Sequence, residues 1–142
     1  MFYIDTSSFL KLLLPEPESP KVQAAVAAEN KVLISALAEL EAEVQLRAGW
    51  LGGDFSRTRY QELLERLRGF KGQEPFEFRS LPGTLFQQAL EQHRQRERPH
   101  VRTLDRLHLA AMTELGATRL MTHDTAQAEA AKALGYEVLC PA

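Results

Sequence analysis

Short apolar runs alternate with longer helical segments along this chain. Residues 2–4, 32–34, 119–122 and 136–139 are short runs rich in apolar side chains, typical of strands in a covered sheet. Residues 76–79 alternate apolar and polar side chains, which predicts an edge strand. Strands that alternate with helices predict an α/β fold: a three-layer α/β/α sandwich around a mostly parallel sheet of four to five strands.

The helix after the second strand, about residues 36–48, has an acidic residue on its predicted apolar face. With side chains about 100° apart, its predicted apolar face consists of Leu37, Leu40, Val44 and Ala48. Glu41 falls inside that face, whereas Glu39 and Glu43 fall on the opposite side. A carboxylate is costly to bury without a partner, so Glu41 is either functional or reaches water at the helix start. Ser35 precedes this helix and is predicted to cap it, and Asp54 is predicted to cap the next helix.

A second acid opens a helix that we expect to be largely buried. Thr103 is predicted to cap this helix, and Gly116 is predicted to end it. Its apolar arc is wide and includes His108. Asp105 lies in the first turn, where the helix dipole favours a carboxylate whether or not that carboxylate has a function.

Length and composition indicate one soluble globular domain, residues 1–142. Apolar residues make up 44% of the chain and charged residues 25%, which is ordinary for this class. The single cysteine, Cys140, cannot form an intrachain disulfide, which fits a reducing compartment. The sequence shows no signal peptide and no apolar run of membrane-spanning length, so we expect a cytoplasmic protein.

The net charge of −2 argues against a protein that coats nucleic acid non-specifically. One local exception is an arginine patch between residues 94 and 106, which consists of Arg94, Arg96, Arg98, Arg102 and Arg106. Only Glu97 and Asp105 offset these charges within the patch. The patch is either a solvated helix end or a contact for phosphate groups.

Acidic residues follow several of the predicted strands. Asp5 comes directly after the first strand, Glu41 lies in the first turns after the second, and Asp124 follows a late strand. In a parallel sheet these positions share the carboxyl edge, where ligands bind in open α/β folds. Asp5 and Asp124 can also be helix caps, so each acid has a structural alternative. Four such acids at one edge, with Asp105 included, favour a common site.

Carboxylates that meet in one site repel each other unless a cation neutralises them. Ligation by oxygen alone suits Mg²⁺ or Mn²⁺, and a hard cation of this kind can activate water and stabilise a displacement at phosphorus. Zinc is less expected, because the histidines and Cys140 lack ligand spacing. Asp105 and His108 are three residues apart on one helix, which also permits a shared metal.

Four short motifs, in order, carry a family resemblance. They are Tyr3-Ile4-Asp5-Thr6-Ser7-Ser8, Ser35 with Glu41 six residues later, Asp105-Arg106-Leu107-His108-Leu109-Ala110, and Leu120-Met121-Thr122-His123-Asp124 with Ala131 and Leu134-Gly135 downstream. The set spans nearly the whole chain and resembles PIN-domain ribonucleases, particularly the VapC-type toxins of toxin–antitoxin pairs. One departure is Ala38, which stands where many relatives carry a small hydroxyl residue, and Glu39 is an acid that competes with Glu41 for the second motif.

The resemblance implies a PIN-like fold and an endoribonuclease that hydrolyses RNA phosphodiester bonds with Mg²⁺ or Mn²⁺. It also implies a homodimer and a small antitoxin protein as partner. It assigns the catalytic and metal-ligating roles to Asp5, Glu41, Asp105 and Asp124. Thr6, Ser7 or Thr122 would support these ligands.

Three alternatives use the same residues differently. Asp5-Thr6-Ser7 matches an aspartic-protease motif, but the predicted helices oppose the all-β fold that this class needs. A phosphatase with Asp5 as its nucleophile would usually carry a second aspartate where Ser7 stands. A non-catalytic PIN-like module that binds RNA or protein remains open, although all four acids are present.

Overall fold

The computed structural model describes residues 1–95 and 97–142. Its strands are β1 (Phe2–Ile4), β2 (Val32–Ser35), β3 (Phe76–Arg79), β4 (Arg119–Met121) and β5 (Glu137–Leu139). Within the described residues these strands form one sheet in the order β3-β2-β1-β4-β5, and every neighbouring pair is parallel. Tyr3 of β1 pairs with Leu33 on one side and Leu120 on the other. The prediction of a parallel sheet with Phe76–Arg79 at its edge is confirmed.

Seven helices connect and cover the described strands. They are α1 (Thr6–Leu13), α2 (Ser19–Ala27), α3 (Ala36–Leu51), α4 (Arg57–Gly69), α5 (Leu85–Arg94), α6 (Thr103–Leu115) and α7 (Thr125–Ala133). Side chains alternate across a strand, so Phe2 and Ile4 pack with α1 to α4 on one face of the sheet, while Tyr3 packs with α5 to α7 on the other. This arrangement is the predicted α/β/α sandwich. None of the helices described is both long and apolar enough to cross a bilayer.

Side-chain caps begin several helices, and two of the predicted caps are wrong. Ser35 caps α3 through the Ala38 amide at 3.2 Å, as predicted. By contrast, α6 begins at Thr103 itself, and Arg102 in the cap position makes no side-chain cap bond. The helix after the Gly52-Gly53 turn is capped by Ser56 rather than by Asp54.

The predicted apolar face of α3 is the wrong face. Leu40 and Val44 are 62% and 58% exposed, whereas Ala38, Ala42 and Leu46 are buried. The small alanine side chains allow α3 to approach its neighbours closely, so the helix packs through them and turns its larger apolar side chains outward. Glu41 therefore lies at the border of the buried face and not within it.

The sequence predicts an apolar stripe on α5 that consists of Leu85, Phe86, Ala89, Leu90 and His93. Leu85 and Ala89 are buried as predicted, but Phe86 and Leu90 are 64% and 45% exposed, and His93 is exposed as well. Gln92 is also buried; its amide donates to the Thr113 hydroxyl at 3.1 Å and accepts from Arg106 at 3.3 Å. A polar cluster between α5 and α6 thus accompanies the apolar contact of Leu85 and Ala89.

Candidate active site

The candidate site lies at the carboxyl edge of the three central strands. Asp5 follows β1 directly, Ser35 ends β2, and Thr122 follows β4. Strand β1 lies between β2 and β4. The chain adds β2 on one side of β1 and later adds β4 on the other side, so the strand order reverses at β1. The carboxyl ends of strands at such a switch point form the usual ligand crevice of open α/β sheets.

Asp5 is a buried carboxylate that caps α1. Only 4% of its surface is exposed. Its Oδ1 accepts from the Ser8 amide at 3.2 Å and the Ser7 hydroxyl at 2.7 Å, and its Oδ2 accepts from the Thr122 hydroxyl at 2.5 Å. Desolvation raises the pKa of Asp5 above its ordinary value, and these hydrogen bonds offset that effect only in part. The capping explanation is thus geometrically true, yet a cap does not require a carboxylate this deeply buried.

Thr122 connects Asp5 to Asp124. Its hydroxyl oxygen, which donates to Asp5, also accepts from the Asp124 amide at 3.1 Å. Asp124 in turn caps α7 through the Gln127 amide at 3.2 Å, as its spacing predicted. The Gln127 side chain does not complete a capping box, because it donates to the main-chain carbonyl of Asp105 at 3.0 Å instead.

Arg102 joins Asp105 and Asp124 from the solvent side. Its Nε lies 3.2 Å from Asp105 Oδ2, and its Nη2 lies 3.6 Å from Asp124 Oδ2. The Arg102 side chain is 81% exposed, whereas those of Asp105 and Asp124 are 17% and 29% exposed. One guanidinium therefore offsets part of the negative charge of two of the four predicted acids.

Glu41 reaches the same region from α3. Its Oε1 accepts from the Thr6 hydroxyl at 2.8 Å and from His108 Nε2 at 2.5 Å. Partial burial by itself raises the pKa of Glu41, but the hydrogen bonds and positive charge that it receives outweigh burial and hold its pKa below the ordinary value. The competing acid, Glu39, forms an ion pair with Lys71 at 3.0 Å instead.

The hydrophobic pattern conceals His108, a partner of Glu41, and Tyr3, which contacts His108. The pattern places Tyr3 in an apolar strand and His108 in the apolar arc of α6. In the structure, the Tyr3 hydroxyl lies 2.6 Å from His108 Nδ1, and His108 is 3% exposed. A buried hydroxyl or imidazole needs a hydrogen-bond partner, so each was a detectable signal in the sequence.

The predicted arginine patch divides into residues with different partners. Arg106 is only 6% exposed and donates to Gln92 and to the Pro99 carbonyl, so it is not available to phosphate. Arg98 donates to Gln95 and to the Ala133 carbonyl. Arg94 is exposed at the end of α5, and Arg96 lies outside the described residues. Arg102 is the described member of the patch that contacts predicted site acids.

Within the described residues, no three acid, histidine or cysteine side chains converge closely enough to form a metal-binding group. The donor chemistry nevertheless fits a hard divalent cation, because the set offers carboxylate oxygens and already attracts a guanidinium between Asp105 and Asp124. Glu41 also keeps Oε2 free of protein hydrogen bonds in the described part of the chain. Asp5, Glu41, Asp105 and Asp124 are therefore the residues that would hold such a cation.

Comparison with known proteins agrees with this architecture. The PIN domain family matches residues 2–133. Ribonuclease VapC46 of Mycobacterium tuberculosis is 31% identical over 141 residues, which cover 98% of this chain and 96% of the relative.

Solved structures share the fold. FitAcB from Neisseria gonorrhoeae aligns with a TM-score of 0.75 and 18% identity, over 99% of this chain and 98% of that one. VapC20 of Mycobacterium tuberculosis, described as a Sarcin-Ricin loop cleaving toxin, aligns with a TM-score of 0.70 and 14% identity, over 96% of each chain. The matched family model and the VapC46 relative show that the chain belongs to the PIN-domain family and is of the VapC type.

Proposed function

We propose that this protein is an endoribonuclease that hydrolyses RNA phosphodiester bonds with Mg²⁺ or Mn²⁺, and that it is the toxin of a toxin–antitoxin pair. The observation that carries the proposal is the chain of contacts at one sheet edge: Thr122 joins Asp5 to Asp124, Arg102 joins Asp124 to Asp105, and Thr6 follows Asp5 and binds Glu41. The relative VapC46 is named a ribonuclease, and VapC20 is described as a Sarcin-Ricin loop cleaving toxin, which supports this activity for the 1–142 domain.

The four acids would hold the divalent cation together. When bound, such a cation neutralises charge on the phosphate and lowers the pKa of water, which supplies the nucleophile. The chain's own residues prepare the site for this chemistry. Ser7 and Thr122 fix both oxygens of Asp5, and the low pKa of Glu41 keeps it ionised at neutral pH. The exposed Arg102 guanidinium can turn from the aspartates to an RNA phosphate.

Cleavage of a mixed RNA panel tests this function. We expect cleavage with Mn²⁺ or Mg²⁺, none with a chelator, and a loss of at least about 100-fold in Asp124→Asn, because a cation site loses one charged oxygen ligand. Glu39→Gln is the matched control on α3, since Glu39 pairs with Lys71, and it should retain full activity. Absence of cleavage under every metal, together with RNA binding, would favour the non-catalytic module instead.

Arg102 gives a separate prediction about RNA binding. We expect Arg102→Ala to weaken binding of RNA by about 10-fold in a cleavage-deficient Asp124→Asn background. The slope of log affinity against log salt concentration should become shallower by about 1, because one phosphate contact is lost. Arg59→Ala removes an equal charge from α4, where Arg59 pairs with Glu62, and should leave the affinity unchanged. Binding curves at several salt concentrations measure both quantities, and equal losses in the two variants would contradict a specific role for Arg102.

We further propose a homodimer that uses the outward face of α3. Leu40, Val44 and Leu51 are each about 60% exposed and recur at helical spacing. A face of this kind can pack on its own symmetry copy, which is the usual geometry of a homodimer. Sedimentation should show a dimer for the natural protein and a monomer for Val44→Glu.

An antitoxin is the second proposed partner, and restoration of growth by a neighbouring small open reading frame would test it.

A further inference from the structure

A buried hydrogen-bonded chain runs from β2 to Glu41. The Tyr3 hydroxyl lies 2.7 Å from Ser35 Oγ and 2.6 Å from His108 Nδ1. His108 Nε2 then lies 2.5 Å from Glu41 Oε1. Tyr3 and Ser35 have no exposed surface, and His108 is 3% exposed. Polar groups this deep are stabilising only when all of them find partners, so the four side chains form one unit.

The hydrogen bonds of this unit are complementary in type. A carboxylate oxygen accepts, so His108 Nε2 is the donor to Glu41 Oε1. The other ring nitrogen, Nδ1, shares its hydrogen bond with the Tyr3 hydroxyl, which can donate or accept. Ser35 Oγ is the second partner of the Tyr3 hydroxyl and also accepts from the Ala38 amide.

The unit acts on only one oxygen of Glu41. His108 on α6 and Thr6 on α1 both bind Oε1, so the carboxylate is held from two separate helices. In the described residues Oε2 has no protein hydrogen bond. Two donors on one oxygen orient the carboxylate and leave the other oxygen available to a ligand.

We infer that Tyr3 and His108 are positioning residues, which fix Glu41 through Oε1 so that Oε2 can bind the divalent cation. The inference rests on the proposed function, because the cation is the ligand that it gives to Oε2. Partners that orient a metal ligand through a second hydrogen bond typically change metal affinity by about 10- to 100-fold when they are removed.

Two substitutions of His108 separate orientation from packing. His108→Leu introduces an apolar side chain of similar size, which fills the space but removes the donor to Glu41. His108→Gln places an amide nitrogen near the position of Nε2 and keeps that donor. We expect calorimetric Mn²⁺ affinity to fall about 10- to 100-fold in His108→Leu and to recover for the most part in His108→Gln. The kcat of RNA cleavage should follow the Mn²⁺ affinity, while the KM for RNA should change little.

Tyr3→Phe tests the other end of the unit with one atom removed. Without the hydroxyl, His108 Nδ1 loses the partner that the structure gives it, while Nε2 still faces Glu41. In the ¹⁵N spectrum, the resonance of Nδ1 should then shift towards that of a ring nitrogen without a hydrogen bond, and Mn²⁺ affinity should fall because the ring is held less firmly. This spectrum needs neither metal nor RNA, so it reports on the unit even if the proposed ribonuclease function fails. In a Glu41→Gln background, His108→Leu should produce no further loss of Mn²⁺ affinity.

Four results would overturn the inference. Equal Mn²⁺ affinity in the wild type and His108→Leu would show that His108 does not orient Glu41. Equal losses in His108→Leu and His108→Gln would assign the effect to packing. An Nδ1 resonance that is unchanged in Tyr3→Phe would remove Tyr3 from the unit. A wild type that neither binds Mn²⁺ nor cleaves RNA would reject the proposed function, and the cation role of Oε2 with it.

Discussion

Asp5→Asn should abolish RNA cleavage and at the same time make the metal-free protein more stable. Activity should fall by at least about 100-fold, because the central cation ligand loses its charge. Stability should rise because the natural carboxylate is almost fully buried, and desolvation raises its pKa. An asparagine keeps the hydrogen bonds: its oxygen can accept from Ser7 and the Ser8 amide, and its amide can donate to Thr122.

The raised pKa of Asp5 determines how the free energy of unfolding changes with pH. The folded-state pKa of Asp5 lies above its ordinary value of 3.8, so between these two pKa values the folded protein binds more protons than the unfolded chain. The contribution of Asp5 to the free energy of unfolding is therefore largest at low pH and falls as pH rises through the folded pKa. Asp5→Asn lacks this fall, and its stability advantage over the wild type should grow from about pH 4 upward.

Urea unfolding of both proteins with a chelator present, at several pH values, measures that difference. At the same concentration, Mn²⁺ should then stabilise the wild type more than Asp5→Asn, since only binding to the folded state shifts unfolding. A variant that is less stable than the wild type at neutral pH, or that responds to Mn²⁺ as strongly as the wild type, would contradict this role for Asp5.

Phe9→Ala should have the largest effect on stability. Phe9 has no exposed surface, and its ring lies 6.0 Å from that of Phe70 and 6.5 Å from that of Phe78. Truncation of a buried phenylalanine lowers the free energy of unfolding by about 3–5 kcal/mol, which is a large part of the roughly 5–15 kcal/mol of a whole domain. Because Phe9 anchors α1, the helix that Asp5 caps, cleavage activity should decline at temperatures where α1 detaches.

Phe86→Ala is the matched control for this substitution. It removes the same side chain from a position that is 64% exposed, so the free energy of unfolding should change by no more than about 0.5 kcal/mol. Urea unfolding followed by far-ultraviolet circular dichroism measures both variants. Similar losses in the two would mean that Phe9 does not anchor α1 in the core.

The fold was predictable from this sequence because most of the strands are short and mainly apolar, and each of the three central strands leads into a polar residue. Asp5 after β1 and Ser35 at the end of β2 identified the carboxyl edge directly. The bonds of Ser35 and Asp124 to the first turns of α3 and α7 followed from their positions alone. Helix-capping rules predict a hydrogen bond correctly when both of its residues lie in the same turn of the chain.

Tertiary packing decided the features that the sequence did not predict. Helical periodicity selected the leucine and valine face of α3, but that helix packs through alanines and exposes Leu40. The partners of Glu41 come from α1 and α6, far away in sequence. A buried His108 signals that some partner exists, but no local pattern identifies that partner as Glu41. The separate environments of Arg102 and Arg106 likewise depend on whether each side chain meets solvent or the α5–α6 contact.

Calorimetric titration with Mn²⁺ tests most directly whether the four acids form one cation site. The wild type should bind Mn²⁺ saturably, and Asp5→Asn, Glu41→Gln, Asp105→Asn and Asp124→Asn should each weaken binding by about 10-fold or more. Glu39→Gln removes a carboxylate that pairs with Lys71, and it should bind as the wild type does. Unchanged affinity in the four site variants, or an equal loss in Glu39→Gln, would contradict a shared site at the carboxyl edge of the sheet.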